Sequence, residues 1–324
     1  MVKIFGTLGP SCSSFETLRA MYSEGMTGIR LNLSHSSLAA ESAVLKTVHK
    51  AAEAAGKPAG ILIDMQGPEL RLGDISSPIS LVAGEVFSSD SLPLPAEVAE
   101  SIHEGDRLLI DDGKLLLYCQ GDGTFNVIRG GTVFSRKSVA VEGREFCTPA
   151  VTPADLDNLS YAAGCGVEYV MQPFVRGRAD LESLREAMKE CGCGKLPIFA
   201  KIENRTGTGK LDEIIPCCDE IVIARGDLGN AYPLWELPAV QKRISRSCRQ
   251  AGRPFTVVTQ MLSSMEKSPT PTRAEVSDIF NAVLDGASSV MVTGETAIGS
   301  YPVEVIKYLF RTVREAEESS ICTQ

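Results

Sequence analysis

Eight short apolar runs, rich in β-branched residues, recur along this chain at 4–8, 27–33, 59–65, 168–172, 198–202, 220–224, 255–259 and 289–292. Runs of this length read as strands buried on both faces, the pattern of a parallel sheet. Helix-like stretches separate most of them, at 14–25, 38–56, 153–164, 179–191 and 237–252. Gly25, Gly56, Gly164 and Gly252 suit helix C-termini, and Pro153 and Pro302 suit first-turn positions. Eight alternating strand and helix units predict a (β/α)8 TIM barrel of the α/β class. Functional groups of such a barrel gather at the C-terminal strand ends.

One interval breaks the alternation. Residues 66–167 separate the third run from the fourth, far more than a βα connection needs. Within it, 74–146 reads as an inserted all-β domain. Strand-like segments lie at 79–87, 107–110, 114–119, 125–129 and 133–135, with turns at Asp112-Gly113, Asp122-Gly123 and Gly130-Gly131. The barrel is then expected to comprise 1–73 and 147–324. The insert leaves near Gly73 and returns near Thr148, on the catalytic side, which suits a lid.

Composition narrows the function classes. The net charge of −9, with basic residues scattered, argues against nucleic acid or an anionic membrane surface as partner. Any phosphate site must be built locally against that field. The opening MVKIFGTLGPSC has neither the apolar core nor the cleavage pattern of a signal peptide. No apolar run approaches membrane-spanning length. Of ten cysteines, the close pairs Cys191-Gly-Cys193 and Cys217-Cys218 lack zinc-ligand spacing. Cys165 and Cys248 read as small buried hydrophobes, and reduced thiols in a cytoplasmic protein are expected.

The strand ends carry the chemistry. Side chains alternate along a strand, so Lys201 and Glu203 point to one side and Ile202 to the other. Arg30, Asn32 and Ser34 share a side in the second strand, as do Asp64 and Gln66 in the third. Asp227 stands on a glycine-flanked turn, Arg225-Gly226-Asp227-Leu228-Gly229, after the sixth. Thr259-Gln260-Met261 ends the seventh, and Thr293-Gly294-Glu295-Thr296 ends the eighth. One polar cap per strand would be ordinary packing. So many inward charges are hard to explain that way, because buried charge is costly unless paired or used. A lysine, two carboxylates and a turn with free N–H groups suit a divalent metal and a phosphorylated anion. His35 fits a satisfied rim histidine as well as a ligand contact, and His49 and His103 read as surface residues.

The ordered pieces Lys3–Pro10, Gly28–His35, Asp64–Arg71, Ile110–Gly113, Ala200–Asn204, Ile223–Gly229, Thr259–Leu262, Pro271–Glu275, Asn281–Gly286 and Gly294–Ala297 resemble the pyruvate kinase family over nearly the whole chain. The resemblance implies phosphoryl transfer from phosphoenolpyruvate to ADP, giving pyruvate and ATP. It implies Mg²⁺ (or Mn²⁺) on Glu203 and Asp227, and K⁺ on Asn32, Ser34, Asp64 and the Met65 carbonyl. Glu69 matches the K⁺-dependent form of the family. Lys201 would sit beside the phosphoryl group in flight. N–H groups near Gly226 and Asp227 would take the substrate carboxylate. Thr259 would lie near the enolate carbon, with Ser277 in the same proton relay. Arg30, His35 and Arg71 would meet the nucleotide phosphates.

The chain departs from the family pattern in places. Met65-Gln66 stands for Thr-Lys, Ser36 for a glycine, and Asn230-Ala231-Tyr232 for a Val-Glu-Ile-like segment. Ser138–Gly143 replaces a Gly-Val-Asn-Leu-Pro-Gly-like return from the insert, which is itself shorter than usual. The sequence ends soon after Gly299-Ser-Tyr-Pro302, so the family's C-terminal regulatory domain, and its sugar-phosphate control, are expected to be absent. A homodimer through the barrel stays open. Two other readings also stay open: a related phosphotransferase with an altered acceptor in a specialised pathway, and a non-catalytic binder of phosphoenolpyruvate or metal. An aldolase of the related barrels rests on fold alone, which is weak evidence.

Overall fold

The first barrel strand, Lys3–Thr7, pairs in parallel with both the second, Gly28–Asn32, and the last, Ser289–Met291, so the sheet closes on itself. A computed structural model of the chain describes residues 1–319 apart from 35, 112, 145 and 147. Between the second and last strands the order follows the sequence: Ile61–Asp64, Tyr169–Gln172, Ile198–Ile202, Glu220–Ala224 and Phe255–Val258, all parallel. This is the eight-stranded closed barrel that the alternation predicts, with each strand within a residue or two of its expected span.

The inward side chains make the middle of the barrel solid. Phe5, Leu62, Met171, Phe199, Val222, Val258 and Met291 form one buried cluster. Phe5 meets Tyr169 and Phe199 edge-on, with ring centroids 6.0 and 6.3 Å apart. The surrounding helices bury apolar stripes at helical spacing. Examples are Leu181, Leu184 and Met188 in Arg178–Glu190, and Val305, Leu309 and Val313 in Pro302–Glu318. Reciprocal capping boxes start two helices, Thr152 with Asp155 and Thr272 with Glu275. Pro153 and Pro302 take first-turn positions as expected. Gly25, Gly56 and Gly252 adopt the left-handed conformation that reverses the chain after a helix. Gly164 does not: the helix Pro153–Ala162 runs out through a turn, and the reversal falls on Gly166 at φ +67°. With no side chain at Gly166, the His49 ring packs against it and reaches the Cys165 carbonyl at 3.2 Å. His49 is therefore half-buried rather than a surface residue, and Cys165 is only partly buried.

The chain divides into two compact units. One, the barrel, holds 1–67, 150–228 and 234–324, and the other holds 68–149 and 229–233. In the second unit an antiparallel sheet runs in the order Val139–Val141, Arg107–Ile110, Leu115–Cys119, Thr124–Arg129, Val86–Ser88. Leu108, Ile110, Leu117, Phe125 and Val127 fill its core. The segment 79–87 does not form one strand. Gly84 turns at φ +89°, so Ile79–Leu81 joins Gly131–Val133 in a separate pair while Val86–Ser88 joins the larger sheet. Among the described residues no helix is long and apolar enough to cross a membrane.

At the N-terminal end of the barrel, Glu220 is buried and accepts hydrogen bonds from Thr256 Oγ1 and Ser289 Oγ, both at 2.6 Å. Burial pushes its carboxyl above the usual range, while the two hydroxyls and Lys3 pull it back. A carboxyl raised in the folded state favours folding most when protonated. Its contribution is complete below the unfolded value, about pH 4, and declines as pH rises through the folded value. Glu220→Gln is therefore expected to flatten the fall in unfolding free energy above about pH 4, measured by urea titration at several pH values. A variant with the same slope as the parent would contradict this.

Candidate active site

The parallel sheet delivers its charged residues to one rim. Arg30 lies one residue pair in from the end of the second strand and Asp64 closes the third, with Asn32 and Asp64 in register. Arg30 Nε donates to Asp64 Oδ2 at 2.8 Å, and its Nη2 lies 2.7 Å from the same oxygen. Arg30 Nη1 also reaches Thr7 Oγ1 at 3.3 Å, on the first strand. Lys201 Nζ lies 3.6 Å from Asp64 Oδ2 and 3.2 Å from Glu203 Oε2. Four charged side chains from three strand ends thus form one buried cluster. The main chain orients it: the N–H of Phe174, just past the fourth strand, donates to Glu203 Oε1 at 2.7 Å.

Burial alone would lower the pKa of Lys201, but Asp64 and Glu203 override it and the net shift is upward, so the side chain is an ammonium. Burial pushes the Glu203 carboxyl up, Lys201 opposes that shift, and the like charge of Asp227 adds to it. Two cations, Arg30 and Lys201, and two carboxylates, Asp64 and Glu203, thus meet here, with Asp227 near enough to raise Glu203 further. Asp64 Oδ1 is buried and accepts no hydrogen bond, while buried Glu203 Oε2 faces the Lys201 ammonium at 3.2 Å. A divalent cation beside them would let neighbouring carboxylates stay ionised together. Among the described residues no three His, Cys, Asp or Glu side chains converge closely enough to hold a metal by themselves. Glu203 and Asp227 would thus supply part of a coordination sphere. That suits Mg²⁺, which keeps positions for water and phosphate oxygens.

After the sixth strand the chain enters the short helix Arg225–Ala231, with Gly226 and half-buried Asp227 in its first turn. Thr259, just past the seventh strand, packs beside Gly226: a Cβ placed on that glycine would meet Thr259 Cγ2 at 3.4 Å and Oγ1 at 3.7 Å. Thr259 and Gln260 both have positive φ, +79° and +54°. A β-branched residue rarely adopts this conformation. At the eighth strand end, buried Glu295 accepts from Thr293 N at 2.6 Å and Leu262 N at 3.1 Å, tying the last two loops together.

The remaining expected residues are scattered. Asn32 Oδ1 accepts from Ser34 N at 3.1 Å, and both residues are half-buried beside Asp64 in the chain order of the sheet. Met65 is buried, with its N–H on the Met171 carbonyl at 3.1 Å. Ser277 is exposed on the helix Arg273–Leu284 and accepts from Asn281 Nδ2 at 3.3 Å. Arg71 belongs to the second unit, where it pairs with Glu69 and donates to the Arg136 carbonyl at 2.8 Å. His35 lies outside the described residues. Sequence reasoning assigned no role to Phe174, Arg225, Asp278 or Glu295. Their contributions are contacts with distant main chain or charged side chains, and the only signals were Arg225 as a member of the Asp227 turn and Glu295 as a charge at a strand terminus.

The family model for the barrel domain of pyruvate kinase matches residues 1–306. A pyruvate kinase of Mycobacterium intracellulare is 38% identical, over 98% of this chain and 70% of the relative. One of Aeropyrum pernix is also 38% identical, over 95% of this chain and 69% of the relative. One of Bacillus licheniformis is 35% identical, over 98% of this chain and 57% of the relative.

The left-handed backbone at Gln260 has a measurable cost. Gln260→Gly relieves the steric conflict but gives the unfolded chain more freedom, for a net gain of about 0.5–1 kcal/mol in unfolding free energy. Denaturant titration of the variant checks this, and a loss of stability would show that the Gln260 side chain contributes more than its backbone costs.

Proposed function

From the premise that the chain belongs to the pyruvate kinase family, we propose that it transfers a phosphoryl group from phosphoenolpyruvate to ADP, with Mg²⁺ (or Mn²⁺) and K⁺ as cofactors. The observation that carries this reading is the buried cluster of Arg30, Asp64, Lys201 and Glu203, with Asp227 close enough to perturb it. In the reaction the bond between phosphorus and the enol oxygen breaks. A bond from phosphorus to a terminal oxygen of ADP forms, and the enolate takes a proton at its methylene carbon to become pyruvate. Little covalent work falls to the protein, so catalysis is positioning and charge neutralisation.

The residues suit those tasks. The Lys201 ammonium, kept charged by its two carboxylates, offsets negative charge on the phosphoryl group as it moves. Arg30, fixed by Asp64 and Thr7, presents a second cation with a set orientation. Glu203 and Asp227 would hold the divalent metal, whose chemistry there is to neutralise charge on substrate oxygens. N–H groups at Gly226 and Asp227 would bind the substrate carboxylate. The Thr259 hydroxyl would place the proton that reaches the enolate carbon, with exposed Ser277 entering only as an outer relay. Asn32, Ser34, Asp64 and the Met65 carbonyl would take K⁺, and the hydrogen-bond-free Asp64 Oδ1 supports a cation there.

Pyruvate formation from phosphoenolpyruvate and ADP with Mg²⁺, in a coupled assay with and without K⁺, tests the proposal. Activity stimulated by K⁺ is expected, with Lys201→Met and Glu203→Gln each lowering kcat by at least about a hundredfold. Mg²⁺ is expected to raise the Tm of the parent and not that of Glu203→Gln. Unchanged turnover in either variant would remove these roles. Phosphoenolpyruvate binding without turnover of ADP would point to a different acceptor.

A further inference from the structure

We infer that Arg225 is a positioning residue, whose guanidinium holds the left-handed turn at Thr259 and thereby sets where the Thr259 hydroxyl stands against Gly226. The inference rests on the proposed reaction only for its catalytic consequence. The geometry is particular. Arg225 Nε and Nη2 donate to the Thr259 carbonyl at 3.1 and 2.6 Å. Its Nη1 donates to Asp278 Oδ2 at 2.6 Å. Nη2 also lies 2.9 Å from Met261 Sδ. All three guanidinium nitrogens are thus engaged on protein atoms. The side chain is only 11% exposed, so Arg225 holds main chain instead of presenting its charge to a ligand.

What it holds would otherwise relax. Thr259 at φ +79° and Gln260 at φ +54° are two consecutive non-glycine residues in a region that L side chains avoid. Such a turn persists only where its surroundings over-determine it. Two N–H groups converging on one carbonyl fix the orientation of the peptide plane after Thr259. Asp278, from the helix Arg273–Leu284, fixes the guanidinium in turn. Because Arg225 directly precedes Gly226 and Asp227, one residue ties the turn after the sixth strand to the turn after the seventh. Rotating the Thr259 peptide to an ordinary β conformation would carry its side chain away from Gly226. A lysine cannot replace this arrangement, since it lacks the planar fork that serves a carbonyl and a carboxylate together.

The test uses full-length protein with ¹³C-methyl-labelled threonine. The Thr259 methyl resonance is identified by its loss in Thr259→Ser. In Arg225→Met that resonance is expected to move while the other threonine methyls keep their positions. The kcat for pyruvate formation should fall at least about tenfold, with the KM for phosphoenolpyruvate within about threefold of the parent. Arg225→Lys should not restore kcat. Asp278→Asn, at a more exposed site, should shift the same methyl in the same direction by less, and it serves if Arg225→Met does not fold. An unmoved Thr259 methyl in a folded variant overturns the inference. So does a shift shared by threonines throughout the barrel, or a kcat within twofold of the parent despite a displaced methyl. Parent protein that forms no pyruvate overturns the reading of the reaction, and the methyl resonance then decides the placement by itself.

Discussion

Lys201 between Asp64 and Glu203 is the interaction on which the site depends. A buried ammonium is tolerable only with carboxylates around it, and buried carboxylates only with cations. Each group in the cluster therefore constrains the others. Arg30 completes the set on the Asp64 side, and the Phe174 N–H completes it on the Glu203 side. One oxygen, Asp64 Oδ1, is buried and accepts no hydrogen bond, and the Asp227 carboxylate stands near enough to raise Glu203. Packing for stability alone does not account for an unserved carboxylate oxygen this deep. On the proposed reading a bound cation would serve it.

Holding such a cluster needs a rigid frame, and the closed barrel is one. Its strands pair with both neighbours all the way round, and the Phe5–Tyr169–Phe199 aromatic layer packs inside it. That rigidity also sustains strain at the rim. Of the five non-glycine residues with positive φ among those described, Phe174, Thr259 and Gln260 lie within two residues of the ends of the fourth and seventh strands. The Phe174 conformation aims its N–H at Glu203. The Thr259 conformation turns its carbonyl to Arg225. In both places an unfavourable backbone is coupled to a contact with a charged side chain.

The charged cluster was legible in the sequence because strand alternation is a strict rule. Arg30, Asp64 and Lys201 fall at inward positions of runs whose length and composition already mark them as strands, and Glu203 continues the same alternation one residue past its run. The barrel was legible for the same reason. The strained turns were not. Glycine advertises a left-handed backbone, but Phe174, Thr259 and Gln260 carry no such mark, and only tertiary contacts impose it. Arg225 was visible as a residue of the Asp227 turn, yet its partners lie 34 and 53 positions away along the chain. The break at Gly84 was missed because the flanking segments share one apolar pattern while pairing with different strands.

Two buried glutamates at opposite ends of the barrel show how environment separates structure from chemistry. Glu220, at the N-terminal end, is closed in by Thr256 and Ser289, whose hydroxyls serve it without any opposite charge at bonding distance. Burial raises its carboxyl while the two hydroxyls hold it in place in the packing. Glu203, at the C-terminal end, is raised by burial too, but it sits between a lysine and a second carboxylate and keeps one oxygen without a hydrogen bond. Protonating Glu203 would weaken its pairing with Lys201 while relieving the repulsion from Asp227, so neither state satisfies every neighbour. On the proposed reading a bound divalent cation would resolve that conflict, since it would let Glu203 and Asp227 stay ionised together while Lys201 kept its charge for the transferring group.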